Sequence, residues 1–413
     1  MDQSRNSSWL KMEEVLTRSK FDILREKLSP SLLPISNEVR EKAEAILETS
    51  DFPTRRNERW KYTSVNGINK LTFDESIGDF DSFSPISANA EKLIISNGFI
   101  KKDQKQIKGV KTSWGELPTT SADDAFDALN ILYCTAAIEI EFDTKINREI
   151  ELIFINNDNS VLFPRIFVKC KKGAKGTLIL NFQGSEESSC FTNVSTYIDV
   201  EENSHLNIHK IQKNGIGTFD LQREYVNQAK NSSFTINTFS LSGRLTRNEL
   251  NILVNGSNCE TFMNGAYTLK GKSHCDNHTT VDHKVAHCFS KELYKGVIDD
   301  TATNVFNGKV FVRKDAQKIN AFQSNANILL SETGSVNSKP ELEIYADDVK
   351  CSHGSTTGQL DEEAVFYLRS RGLSEKAAKE LLVKAFLGEV LEEVEHAEVR
   401  SYVENQIEKH FSA

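Results

Sequence analysis

From Gly173 onward, turn-like polar clusters return at nearly equal intervals, each followed by a run of alternating apolar residues. The units are GAKGTLIL from Gly173, EENSHLNI from Glu201, AKNSSFTI from Ala229 and GSNCETFM from Gly256, with starts 28, 28 and 27 residues apart. Further turn-like clusters fall near the half period, at Gly215, Gly243 and Lys270. Two later units, TATNVFNG from Thr301 and DAQKINAF from Asp315, lie 14 residues apart. Alternation sends successive side chains to opposite faces of a strand. Short strands at a fixed spacing, joined by polar turns with no helices between them, are what a stacked solenoid needs. An antiparallel sandwich also repeats short strands, roughly every 8 to 12 residues. The persistence of equal spacing favours the solenoid, so the chain is expected to be mainly β with a β-solenoid core.

The flanks read differently. Ser36 is placed to cap a helix, Glu38 suits its first turn, and Val39, Ala43, Ile46 and Leu47 form one apolar stripe. Pro30 and Pro34 separate this helix from an earlier one at about Met12 to Leu28. Beyond Gly358 the alternation stops. Asp361 and Ser374 are N-cap candidates, Gly372 suits a C-terminal left-handed residue, and Ala378, Leu381, Leu382, Ala385 and Phe386 mark an apolar helix face. The expected organisation is a helical and mixed region over 1–135, a solenoid over 136–355 and a helical region over 356–413.

A net charge of −9, with no basic run, argues against nucleic acid as a partner. The longest nearly apolar run, Ile131 to Ile138, is far short of the roughly 20 residues of a membrane span. The opening MDQSRNSSWLKMEE has no apolar core of signal-peptide length. Seven cysteines, an odd number without pairing-like spacing, suggest reduced thiols. A cytoplasmic chain is expected.

The segment ELEIYADDVKCSHGSTTGQLDEEAVFYLRSRG, Glu341 to Gly372, joins a strand-like alternation to a Cys-x-His pair, a Gly/Thr turn and a capped helix. On a strand Cys351 and His353 share a side. Thiol and imidazole together suit iron, zinc or copper, or a nucleophile with its base; alone, the pair also reads as buried filler. Asp347 and Asp348 face opposite ways, so at most one addresses the same site.

The run DDVKCSHGSTTGQLDEEAVFYLRSRGL resembles the carboxy-terminal signature of the SufB/SufD family, scaffold proteins of iron-sulfur cluster assembly. PTRRNERWKYTSV (Pro53 to Val65) resembles that family's Trp-Lys-Tyr-Thr element, and ELYKGVIDD and NVFNGKVFV resemble its core repeats. The length and the lack of a Cys-x-x-Cys pair are closer to the SufD branch. This resemblance implies a right-handed parallel β-helix and a non-catalytic scaffold. It also implies pairing with a SufB-like paralogue, with homodimers possible, and docking of a SufC-like ABC ATPase on the carboxy-terminal helices. Candidate contacts for that docking are Phe366, Arg369, Arg371, Leu381, Leu382 and Phe386. A transient iron-sulfur cluster at the complex interface is implied too, with Cys351 and His353 at that interface and His353 as a metal ligand shared with the partner. Reduced flavin (FADH2) in the complex is implied without any residue here that fixes it.

SHCDNHTTVDHKVAHC, Ser273 to Cys288, is the densest set of potential ligands. His274, Asp276 and His278 would share one strand face, as would His283 and His287, yet the spacings match neither a zinc finger nor HExxH. The expectation is that these residues pack within the solenoid. The alternative is a stand-alone β-helix enzyme, metal-dependent or carbohydrate-active, that uses the His274–His287 cluster. GAYTLKGKS from Gly265 is a Walker A loop with one residue too many, and strand follows it, so it reads as a turn.

Overall fold

A computed structural model describes residues 19–412 apart from 32, 75–77, 79, 82, 102–103, 113–121, 123, 145–147 and 158. The chain winds as a parallel β-solenoid of about eight turns. Each turn contributes one strand to each of two sheets. The front sheet stacks Arg148–Asn156, Lys175–Gly184, His205–Lys213, Ser233–Ser242, Glu260–Leu269, Phe289–Ile298, Asn320–Leu329 and Lys350–Gln359. The back sheet stacks Ala136–Phe142, Pro164–Cys170, Phe191–Val200, Phe219–Gln228, Leu245–Val254, His274–His283, Thr303–Val312 and Ser335–Ile344. Glu91–Ser96, from the segment before the repeat, also joins the front sheet in parallel, beside Arg148–Asn156.

The period read from the sequence is the length of one coil. His205 pairs with Ser233, Ser233 with Glu260, and Phe289 with Asn320, so along the front sheet coils range from 27 residues at Ser233–Glu260 to 31 at Phe289–Asn320. The polar clusters at Gly173, Glu201, Ala229 and Gly256 form one corner of successive coils. Among the described residues, six successive coils turn that corner through a left-handed residue: Gly173, Asn203, Asn231, Asn258, His287 and Lys318 all have φ between 57° and 72°. Asparagine tolerates this conformation better than most residues. Here it also bonds along the stack, Asn231 Nδ2 donating to Asn203 Oδ1 at 2.8 Å and Asn258 Nδ2 to Asn231 Oδ1 at 3.1 Å.

Inside the coil, one end is apolar and the other polar. Leu206 and Ile208, Phe234 and Ile236, and Met263 pack against Val226, Ile252 and Val281 from the opposite sheet. Further along the same strands, inward positions carry Lys210, Gln212, Asp220, Gln222 and Glu224, all buried. Lys210 Nζ and Glu224 Oε1 meet at 2.6 Å. Burial raises the Asp220 carboxyl to about 6, although Gln222, Gln212 and Lys210 act in the opposite direction.

Among the described residues, six helices flank the solenoid. Before it come α1 (Lys20–Arg25), α2 (Asn37–Glu48) and α3 (Ala125–Leu132). After it come α4 (Glu362–Ser370), α5 (Glu375–Glu392) and α6 (Ala397–Ser412). Of the helix expected over Met12 to Leu28, residues 12–18 lie outside the described residues; α1 is helical, with Ser19 as its cap. Ser36 caps α2 by accepting from Val39 N, as expected. The amino-terminal helices cover the back sheet, with Phe21, Phe52 and Phe126 packed toward Phe163, Phe191 and Phe219. On the outer face of the front sheet, α5 and α6 pack Val383, Leu387, Val390 and Val403 against Ile211, Phe239 and Leu293.

Candidate functional site

Cys351 and His353 lie on the last front strand. That strand and the last back strand, Ser335–Ile344, each pair on one side only among the described residues, so both sheets end open at the same end of the coil. Cys351 pairs in register with Ala321 and His353 with Gln323. The shared side read from the sequence is the inward side: Cys351 packs beneath the end of the apolar core, and His353 is exposed above buried Gln323. Burial pushes the Cys351 thiol up, partly offset by the Ala321 backbone. Along the same strand, Ser355 Oγ donates to Ser338 Oγ of the last back strand at 2.7 Å, and Ser338 Oγ to Asn325 Oδ1 at 2.9 Å. A buried polar file therefore reaches the surface beside His353.

Two coils in, Glu292 is wholly enclosed. The Thr279 hydroxyl donates to its Oε1 at 2.6 Å and Gln323 Nε2 to its Oε2 at 2.7 Å. With no cation among its bonds, burial dominates and raises its carboxyl to about 7 against those two hydrogen bonds.

Beside the open end stands the α4–α5 hairpin. Asp361 caps α4 by accepting from Glu363 N at 2.9 Å, Ser374 caps α5 by accepting from Ala377 N at 3.2 Å, and Gly372 turns between them at φ 99°. No residue of α4 is buried. Phe366 is 73% exposed and Leu381 47%; Phe366 and Arg369 line an open groove of about 870 Å³ that meets the solenoid at Leu329 and Leu360. Arg369 lies 3.5 Å from Glu375, and Arg371 donates to the Tyr367 hydroxyl at 3.2 Å. Leu382 and Phe386 are half-buried, with the Lys295 ammonium 4.6 Å above the Phe386 ring. The apolar face expected on α5 needs correction. Ala378 is buried as expected, but Leu381 and Ala385 face solvent, and the docking stripe is Val383, Leu387, Val390 and Leu391. The helix is apolar around much of its circumference, and the front sheet takes a stripe the residue pattern did not single out.

The histidine cluster does not converge. His274 Nε2 lies 2.9 Å from the Thr63 hydroxyl, and His278 Nε2 lies 2.9 Å from Asp276 Oδ1, both outside the back sheet. His283 points inward to Ser290 Oγ at 3.0 Å, and burial lowers its imidazole to about 4 despite the Asp282 charge. His287 sits in the left-handed corner at φ 64°. Among the described residues no group of three or more His, Cys, Asp or Glu side chains is arranged to hold a metal. Two faces and a corner separate what the sequence lists together, which removes the ligand set of the alternative enzyme reading. His287→Gly should therefore leave stability unchanged or raise it by up to ~1 kcal/mol, because glycine adopts this conformation without a steric penalty. Thermal unfolding checks this; a clear loss of stability together with bound metal would restore the ligand reading.

A charged layer that the motif reading did not single out lies beneath the Trp-Lys-Tyr-Thr element. The Arg247 guanidinium stacks 3.9 Å from the Trp60 ring and binds both Glu249 and Asp276. The Thr63 hydroxyl donates to Asp276 Oδ2 at 2.5 Å, and Arg59 lies 3.6 Å from Glu249. Burial alone would raise Glu249, but the charges of Arg247, Arg59 and Arg223 overcome it and lower the carboxyl to about 2. The element is an anchor that locks the amino-terminal region to the solenoid. Its sequence signal was the recurrence of charged residues at outward strand positions on neighbouring coils.

The thiol–imidazole pair lies on a sheet edge unpaired among the described residues, not in an enclosed cleft. The family described as "SUF system FeS cluster assembly, SufBD core domain" matches residues 153–386, more than half of the chain. The chain is 28% identical to an iron-sulfur cluster assembly SufBD family protein of Synechocystis, over 86% of each. It is 27% identical to the iron-sulfur cluster assembly protein SufD of Escherichia coli, over 86% of this chain and 88% of that one. Protein ABCI7, chloroplastic, of Arabidopsis thaliana is 29% identical over 59% of this chain and 52% of that protein. The chain belongs to the SufB/SufD family of iron-sulfur cluster assembly proteins and is most like SufD. No helix among the described residues is long and apolar enough to cross a membrane.

Proposed function

We propose that the chain is the SufD-like, non-catalytic subunit of a SufBCD-type complex. In this reading a SufB-like paralogue covers the open end, a SufC-like ATPase docks on the α4–α5 hairpin, and nascent cluster is handled where His353 meets the partner. The observation that carries it is the coincidence at one end of two unpaired sheet edges with the Cys351–His353 pair. Unpaired edges present backbone donors and acceptors that another chain's strands satisfy. An exposed imidazole completes a coordination sphere whose other ligands the partner brings. Iron and sulfide are cargo here, and ATP chemistry belongs to the docked subunit. All seven cysteines are free, which suits a reducing compartment such as the cytoplasm.

Co-purification from native cells, with iron and sulfide analysis, tests the whole reading; recovery of the chain without paralogue or ATPase would count against it. The docking surface has its own test. Phe366→Ala should weaken ATPase binding by about tenfold or more, as loss of an aromatic anchor does. The melting temperature should hold, because Phe366 is 73% exposed. Equal affinity in titration calorimetry would move the ATPase elsewhere.

A further inference from the structure

Three inward positions stack in register on the last three front strands: Glu292 pairs with Gln323, and Gln323 with His353. Glu292 and Gln323 are 2% and 4% exposed. The Gln323 carboxamide is committed at one end, since its Nε2 donates to Glu292 Oε2 at 2.7 Å. The space for this comes from Gly308 on the opposite sheet, where a Cβ would sit 2.0 Å from that nitrogen. Its other end is uncommitted, for Oε1 is buried and has no hydrogen-bond partner among the described residues. A buried amide oxygen without a donor is costly, and native structures supply one. The next side chain in the same row, one strand spacing of roughly 4.8 Å away, is His353. It is the exposed group of the row and free to turn an N–H toward that oxygen.

We infer that Gln323 is a positioning residue for His353: anchored by Glu292, its amide oxygen accepts the imidazole N–H and fixes which ring nitrogen carries the proton. The other nitrogen then presents its lone pair to the open end, the form in which imidazole binds a metal. Histidine ligands are commonly set in this way by an acceptor behind the ring. Water competes for the bond in the free chain, and a partner covering the end excludes that water and strengthens it. The inference rests on the reading in which His353 handles iron or sulfide, but its primary test does not.

The test is nitrogen-15 NMR of ring-labelled histidine in the full chain, repeated in the complex with the paralogue, with His353 assigned by its loss in His353→Ala. One tautomer is expected at His353 in the unmodified chain. Gln323→Leu removes the acceptor at nearly constant volume and should shift both ring nitrogens to the mixture seen in free histidine. Glu292→Gln lets the Gln323 amide face either way and should give an intermediate mixture. The other histidines should keep their signals, which separates positioning from general loss of structure. A free-histidine mixture in the unmodified chain, or unchanged His353 signals in Gln323→Leu, overturns the inference. In the assembled complex Gln323→Leu should slow cluster formation about tenfold, the range typical of residues that orient a ligand. If His353→Ala leaves cluster formation intact while the tautomer shift is observed, the proposed function fails and the positioning stands.

Discussion

His353→Ala is expected to leave the chain folded and able to bind its ATPase, while cluster formation by the assembled complex falls at least tenfold. The two halves of this expectation have separate physical grounds. His353 is exposed on a terminal strand, and surface substitutions of that kind usually change stability by less than about 0.5 kcal/mol. Its loss removes the one imidazole that the open end presents beside Cys351, and no buried group replaces it. Iron and sulfide content of the purified complex, with thermal melts of the free chain, separates the two. Cys351→Ser should have a smaller effect, since that thiol is half-buried under the core edge and burial keeps it protonated. Substitutions at His274, His278 and His283 should lower stability before they alter chemistry, because each imidazole meets a partner inside a packed layer. A silent His353→Ala, with iron lost on substituting the 274–287 group, would falsify this ranking.

The coil was legible because its corner uses residues that announce a left-handed turn, as at Asn203, Asn231 and Asn258. His287 and Lys318 occupy the same corner with residue types that announce nothing of the kind. That is why four neighbouring histidines looked like a ligand set. Alternation fixed the common side of Cys351 and His353, but it could not tell inward from outward, nor reveal that Gln323 and Glu292 stand behind them on coils 30 and 61 residues earlier. Pairing between coils is set by the backbone ladder, and residue types carry little of it. The docking face of α5 was obscure for a related reason: with apolar residues on most sides, the choice among stripes belongs to the sheet it meets. Arg247, Glu249 and Asp276 sit on the outward face of their strands, where charge normally means solvent, and become buried only because residues 59–63 fold over them.

Inside the solenoid, the largest stability effects should come from one ion pair. Lys210 and Glu224 are half a coil apart in sequence and face each other across the interior, each side chain 1% exposed. Glu224 Oε2 has no hydrogen-bond partner among the described residues, so the carboxylate relies on the 2.6 Å contact of its other oxygen with Lys210. Lys210→Met strands a carboxylate in this interior, and Glu224→Leu strands an ammonium; each should cost about 3–5 kcal/mol, as breaking a buried pair from one side does. Removing both charges together should recover most of that loss, because paired charges in a dry interior contribute little net stability once their desolvation is counted. Urea unfolding followed by circular dichroism gives the double-mutant cycle directly. The decisive quantity is the coupling between the two sites. Single substitutions that each cost less than about 1 kcal/mol, and simply add, would mean that water reaches this part of the coil.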